Sequence, residues 1–330
     1  MEIFLLVLLA AALALICAGY WLFFMGVVRL PEGMGMKTSP RLEEYSDMIS
    51  NGTAWFKAQD AERVVLPAYD GTPLVGLYVH NPQARGTVIL FHGYRSDGCR
   101  DFSCAYKFYY ELGYSLLNVF QRAHGQSGGQ YICFGVKERF DCRDWARYVC
   151  DRFGPGHDIF LGGISMGGTT VLMASELELP KSVRGIIADC GFTSPYEEFK
   201  EVMRNKLHLP VHPLLEIADV FCRLFAGFGF NECSTVDAMR VNKLPVLFIH
   251  GEADNFVPSR FTRENFEACL APKIFISVPN AGHGFSYLVE PERCQWSLRA
   301  FLKNNSTFHS SPDDGEEPFS SGDGISLFQQ

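Results

Sequence analysis

Three residues in this chain have the types and surroundings that acyl transfer requires. Ser165 lies in Gly163-Ile164-Ser165-Met166-Gly167, Asp254 in Gly251-Glu252-Ala253-Asp254-Asn255-Phe256-Val257-Pro258, and His283 in Asn280-Ala281-Gly282-His283-Gly284. A serine hydroxyl is a weak nucleophile at neutral pH and needs a base within hydrogen-bond reach. His283 is the expected base. It would take the Ser165 proton and return it to the leaving group, while Asp254 fixes the imidazole tautomer and stabilises the imidazolium. Gly163 and Gly167 keep side chains away from the sharp strand-to-helix turn that lifts such a serine clear of its sheet. Asp189, beside Cys190-Gly191-Phe192, is the rival acid, and the G-x-x-D-x-x-V-P context favours Asp254. Glu252 reads as a loop residue. The negative oxygen formed on attack would be held by two backbone N–H groups, those of Met166 and of Tyr94 after His92-Gly93, with His92 shaping the loop.

These residues must be carried by particular elements. Apolar runs read as strands at Val64–Pro67, Leu74–Val79, Thr87–Phe91, Tyr114–Phe120, Asp158–Gly162, Gly185–Ala188, Val246–His250 and Ile274–Val278. Asp70-Gly71 between the first two is a hairpin signal. From Thr87 onward strands alternate with helical stretches, notably Val136–Arg152 and Ser259–Leu270. Such alternation predicts an α/β protein, its mostly parallel sheet covered by helices on both faces. Ser165, Asp254 and His283 each fall just past the C-terminal end of a strand. Between Cys190 and Pro245 the rhythm breaks into helical, aromatic-rich sequence without a strand.

The chain order Ser…Asp…His, the Gly163–Gly167 turn and His92-Gly93 resemble the α/β-hydrolase superfamily. Within it the chain looks most like the membrane-anchored BEM46-like serine hydrolases and their bacterial relatives, over roughly Val64 to Leu302. Arg122-Ala123-His124-Gly125-Gln126-Ser127 is similar to the family's D-x-R-G-H-G-x-S turn. Gln121-Arg122-Ala123 departs from it at two points, so the turn reads as scaffold. The resemblance implies an α/β-hydrolase fold whose small helical cap, about residues 193–243, occupies the strandless insertion. Phe225 and Phe228 are then expected to line an acyl pocket.

Composition limits the alternatives. The net charge of −8 argues against a nucleic-acid partner, and five acidic residues beyond Asn304 supply −5 of it. The 11 cysteines are scattered, with no C-x-x-C and no spacing suited to zinc, so no metal and no cofactor is expected. From Ile3 to Val28 there are 26 positions without a charge, where a bilayer span needs ~20. A cleaved signal peptide would want a basic start and a shorter apolar core. Residues 1–28 therefore read as a retained transmembrane anchor, 29–61 as a connector with a helix near Pro40–Asn51, 62–303 as the hydrolase domain, and 304–330 as an acidic disordered tail. Arg29, Lys37 and Arg41 place the domain on the cytoplasmic side by the positive-inside rule. The sequence thus reads as a membrane-tethered serine hydrolase of small or lipid-like acyl esters. A peptidase or acyltransferase using the same residues, or a non-catalytic membrane-linked binding module, are the alternatives.

Overall fold

The computed structural model describes residues 1–31, 42–96 and 98–308. Eight strands form one sheet: β1 (Glu62–Pro67), β2 (Pro73–Val79), β3 (Gly86–Phe91), β4 (Tyr114–Phe120), β5 (Asp158–Ile164), β6 (Val183–Asp189), β7 (Val246–Gly251) and β8 (Lys273–Val278). Their order is β1-β2-β4-β3-β5-β6-β7-β8. β1 and β2 pair antiparallel across the Asp70-Gly71 turn, β2 meets β4 antiparallel, and every pairing from β4 to β8 is parallel. All eight expected strands are present. The central β3, β4 and β5 are buried along almost their whole length, as continuous apolar runs in a two-sided parallel sheet should be.

The helices are α1 (Glu2–Val27), α2 (Ser46–Lys57), α3 (Tyr106–Glu111), α4 (Glu138–Phe153), α5 (Met166–Ala174), α6 (Pro195–Val202), α7 (Leu214–Phe221), α8 (Thr235–Val241), α9 (Arg260–Ala268), α10 (Ser286–Val289) and α11 (Pro291–Asn305). One face of the sheet packs with Trp145 and Val149 of α4 and Leu172 of α5. The other packs with Phe56 of α2, Tyr106 of α3 and Phe301 of α11. The strandless insertion is α6 to α8, with wider π turns at Met203–Leu207 and Cys222–Ala226. It forms a third apolar core around Phe199, Leu215 and Phe230.

Three expected boundaries move. The connector helix runs from Ser46 to Lys57 and belongs to the body, where Phe56 stacks on Tyr106 at 4.2 Å and Trp55 meets Tyr110 at 5.4 Å. Pro40 and Arg41 of the expected helix lie outside the described residues. The ordered chain also continues past Asn304, because Ser306 Oγ and the Thr307 N–H both donate to the buried Asp158 carboxylate at 2.7 Å. The acidic remainder of the tail, from residue 309, lies outside the described residues.

The third shift concerns α1. Its residues up to Cys17 are exposed, whereas Gly19, Leu22, Phe23 and Val27 are buried. That three- and four-residue spacing is one face of a helix. The face lies on the cap: Tyr20 meets Phe221 edge-on at 5.2 Å and Phe23 meets Phe225 at 5.9 Å. Any side chain at Gly19 would collide with Ile217. Beyond the helix the Ile132 N–H donates to Val27 O, and Arg29 donates to the Ser127 and Gly125 carbonyls. The body therefore begins inside α1, ahead of the boundary expected at residue 28.

Two truncations separate the halves of this helix. Removing residues 2–16 should leave the thermal midpoint of the detergent-solubilised protein unchanged. Removing residues 2–28 also strips Leu22, Phe23 and Val27 from the cap core. At ~2 kcal/mol per buried side chain, this should lower Tm by on the order of 10 °C. Equal midpoints for the two truncations would contradict the packing described.

Candidate active site

β5 ends at Ile164 and α5 starts at Met166, so Ser165 alone turns the chain. It does so at φ 56° and ψ −119°, a conformation rarely tolerated by a residue with a side chain. The turn is pinned by the Ser165 N–H donating to Asp189 O at 2.8 Å and the Thr169 N–H donating to Ser165 O at 3.0 Å. A Cβ on Gly167 would run into the Phe91 carbonyl, so the second glycine of the motif is sterically required.

The structure brings Ser165, His283 and Asp254 together. Ser165 Oγ lies 2.8 Å from His283 Nε2, and His283 Nδ1 lies 2.7 Å from Asp254 Oδ2. The carboxylate draws the ring proton to Nδ1, which leaves Nε2 free to accept from the serine hydroxyl. Asp254 is itself held at four points. Its Oδ1 accepts from the N–H groups of Phe256 (2.8 Å) and Val257 (2.9 Å), and its Oδ2 lies 3.2 Å from His250 Nε2. Burial opposes the charge on Asp254, but His283 and His250 outweigh it and hold the carboxyl well below the usual carboxylate range. Burial likewise opposes protonation of His283, yet the Asp254 carboxylate hydrogen-bonded to its Nδ1 favours the imidazolium, and the balance is upward.

Asp189 occupies a different place. Its backbone carbonyl supports Ser165, and its carboxyl lies 3.4 Å from Ser286 Oγ, with burial pushing its pKa up to about 6. The hydrogen bond to His283 belongs to Asp254.

Two histidines fix the loop after β3. His92 Nε2 accepts from the Gln121 N–H at 3.1 Å, so Nδ1 carries the proton and donates to Gly93 O at 2.7 Å. His124 Nε2 accepts from the Arg95 N–H at 2.9 Å, and the Gly93 N–H donates to Asp101 Oδ2 at 2.8 Å. In a trans peptide the C=O and N–H point opposite ways. Binding of Gly93 O by His92 therefore turns the Tyr94 N–H the other way. The loop abuts the serine, since a Cβ on Gly93 would lie 3.4 Å from that of Ser165. Met166 opens α5, so its N–H has no partner in the helical ladder. The Arg122–Ser127 turn is scaffold, as expected: Arg122 is buried between Asp141 and Asp70, at 2.6 Å and 2.8 Å.

Ser165, His283 and Tyr94 line a cavity of about 780 Å³ whose apolar wall includes Phe256, Phe285 and Leu288. Phe225 and Phe228 do not line it, contrary to the expected acyl pocket. Phe228 is buried beside Phe230, and Phe225 borders a separate cavity of about 440 Å³ with Tyr20, Phe23 and Arg29. The cap spends these rings on its own core and on α1. The apolar wall comes instead from the segments after β7 and β8 and from Phe102, Ala105 and Tyr109 after β3.

Two neighbours of the site escaped the sequence reading. Cys190 is buried at φ 44°, and its sulfur lies within 4.8 Å of the ligand-type atoms of Asp254 and His283. Among the described residues this is the one such cluster suited to a metal, but burial keeps the thiol neutral up to about 12, which makes it a poor ligand. Glu198 on α6 is buried with no hydrogen-bond partner for Oε2, and burial lifts its carboxyl to about 8, against a smaller opposing pull from His283. The signal was present: Glu198 shares the inward face of α6 with Pro195 and Phe199 at three- and four-residue spacing.

No protein-family model matches the chain. Among curated proteins, the uncharacterised protein YqkD of Bacillus subtilis is 28% identical over 249 residues, which cover 76% of this chain and 81% of that protein. Among solved structures, the Pyrococcus furiosus esterase Pf2001 is similar with a TM-score of 0.63 and 24% identity, over 84% of this chain and 100% of that one. The α/β hydrolase GrgF from Penicillium sp. matches with a TM-score of 0.58 and 18% identity, over 75% of this chain and 99% of that one. Est1E from Butyrivibrio proteoclasticus, solved with ferulic acid bound, matches with a TM-score of 0.58 and 17% identity, over 73% and 98%. Sheet order, the serine turn at the end of β5 and these neighbours agree: the chain has the α/β-hydrolase fold.

Proposed function

We propose that the protein is a membrane-tethered serine hydrolase that cleaves acyl esters through an acyl-enzyme. The observation that carries this reading is the hydrogen-bonded line from Asp254 through His283 to a strained Ser165 at a cavity wall. In the proposed reaction Ser165 Oγ attacks the acyl carbon as its proton passes to His283 Nε2. The N–H groups of Tyr94 and Met166 receive the oxyanion, and Asp254 stabilises the imidazolium without taking the proton. Collapse breaks the bond to the leaving alcohol, which takes the proton from His283. Water then repeats the sequence on the acyl-enzyme and regenerates Ser165. The esterases among the fold neighbours support this chemistry at the level of analogy. Membrane tethering rests on α1, whose 26 residues are long and apolar enough to cross a bilayer. Arg29, Lys37 and Arg41 beyond it favour a cytoplasmic domain.

Ser165→Ala should lower p-nitrophenyl butyrate hydrolysis by on the order of 10³-fold or more while Tm stays put. Activity retained by the folded variant would remove Ser165 from the reaction. Asp254→Asn leaves the wrong His283 tautomer and should cost ~10⁴-fold, far more than Asp189→Asn; the reverse ranking would move the acid to β6.

The pH profile gives a third test. His283 must be neutral to accept the serine proton, and its pKa lies above the ordinary histidine value. The kcat/KM should therefore climb as pH rises through a midpoint above 6.5, and Asp254→Asn should move that midpoint down. A midpoint below the ordinary histidine value would contradict the assignment of the base.

A further inference from the structure

The level at which the cap touches α1 fixes the cap's depth once α1 is taken to span the bilayer, so this inference rests on that part of the proposed function. A hydrocarbon layer of ~30 Å is crossed by ~20 helical residues. Counted from Ile3, the first residue beyond Glu2, the span ends near Leu22. Gly19, Tyr20 and Phe23 thus lie at the lipid boundary, and the cap residues that touch them, Ile217, Phe221 and Phe225, must lie there too. The helical run carrying those contacts turns a second row outward. Val220 is 53% exposed, Leu224 71% and Phe225 54%, a row at i, i+4 and i+5 that the described residues leave largely uncovered, Phe225 touching Phe23 along one edge. Phe24 of α1, which borders the same cavity as Phe225, is 40% exposed, and Trp21 is 47% exposed at the same level of the helix. Aromatic residues at this level match the interfacial belt of membrane proteins.

We propose that Val220, Leu224 and Phe225, together with the last turns of α1, form a lipid-docking face that seats the cap in the headgroup–acyl boundary of the bilayer. The occupant is lipid because the face is continuous with the spanning helix and lies at the depth at which that helix leaves the hydrocarbon layer. This docking has a consequence for substrate. Two of the last carbonyls of α1, those of Met25 and Gly26, are taken by the loop beside the serine. Tyr94 Oη donates to Gly26 O at 2.8 Å, and the Arg95 guanidinium donates to Met25 O at 2.6 Å. The loop next to Ser165 therefore stands one tyrosine side chain from the helix end, and an acyl ester held in the membrane is the substrate class that reaches it most directly.

The test uses the full-length chain reconstituted in phosphatidylcholine vesicles with lipids brominated near the top of the acyl chains. Leu224→Trp adds an emitter on the proposed face. Leu270→Trp adds one at the opposite end of the sheet, just before β8, where Leu270 is 80% exposed. The emission added by Leu224→Trp should lose about half its intensity in brominated vesicles, as expected for a side chain ~5–10 Å into the interface, and that added by Leu270→Trp should be unaffected. Emission lost on Trp21→Phe substitution reports the span itself. Quenching of Trp21 without quenching at position 224 would overturn the docking face and leave the span intact. Absence of quenching at Trp21 would overturn the spanning reading and the docking face with it. Equal quenching at positions 224 and 270 would show non-specific adsorption and equally overturn the proposal.

Discussion

The left-handed backbone at Ser165 is the constraint on which the rest of the site depends. Such a conformation costs ~1–3 kcal/mol and survives only where its surroundings over-determine it. Here β5 is hydrogen-bonded on both sides by β3 and β6, and the Ser165 N–H is taken by Asp189 O at the end of β6. α5 follows at once, buried along its length, so neither side of the turn can relax. With the serine fixed at the end of a central parallel strand, the loops after the flanking β3 and β6 and after the more distant β7 and β8 all open toward it, because these parallel strands end at the same edge. The strain and the convergence of the candidate residues thus have one origin.

Around this fixed point, the polar groups are held so that little has to move. Asp254 spends one oxygen on two backbone N–H groups and the other on two imidazoles. His250 takes no part beyond this. Its Nδ1 meets Thr262 Oγ1 at 2.7 Å and its Nε2 lies 3.0 Å from Val257 O, which keeps its ring immobile. The Gly93–Arg95 loop is tied at Gly93 N, Gly93 O, Arg95 N and the Tyr94 hydroxyl. On the proposed reading, this arrangement supplies donors already aimed where negative charge develops, which is how such sites lower a barrier without reorganising.

What was legible in the sequence was whatever a local pattern dictates. Apolar runs of four to seven residues marked every strand, and G-x-S-x-G marked the turn because that geometry demands both glycines. The V-P after Asp254 had meaning too, since the Val257 N–H binds the carboxylate. The failures were failures of facing. α1 is apolar on all sides, so no periodicity separated the part that meets solvent or lipid from the part that meets the cap. The same ambiguity misplaced Phe225 and Phe228: an aromatic in a helical insertion can point at a pocket, a neighbouring helix or outward, and the choice is made by tertiary packing. Glu198 was overlooked because a carboxylate is expected to be solvated, though its helical position put it inside. The narrower BEM46-like resemblance draws on the same few motifs and gains nothing further from the fold.

The proposed chemistry requires Ser165 to be the nucleophile of a covalent mechanism. Reaction of the membrane-bound full-length protein with a fluorophosphonate, followed by peptide mass mapping, reads this directly. A single phosphonyl adduct on the peptide containing Ser165, blocked by prior incubation with an ester substrate, is the result predicted. An unmodified protein, or an adduct on a different serine, would contradict it.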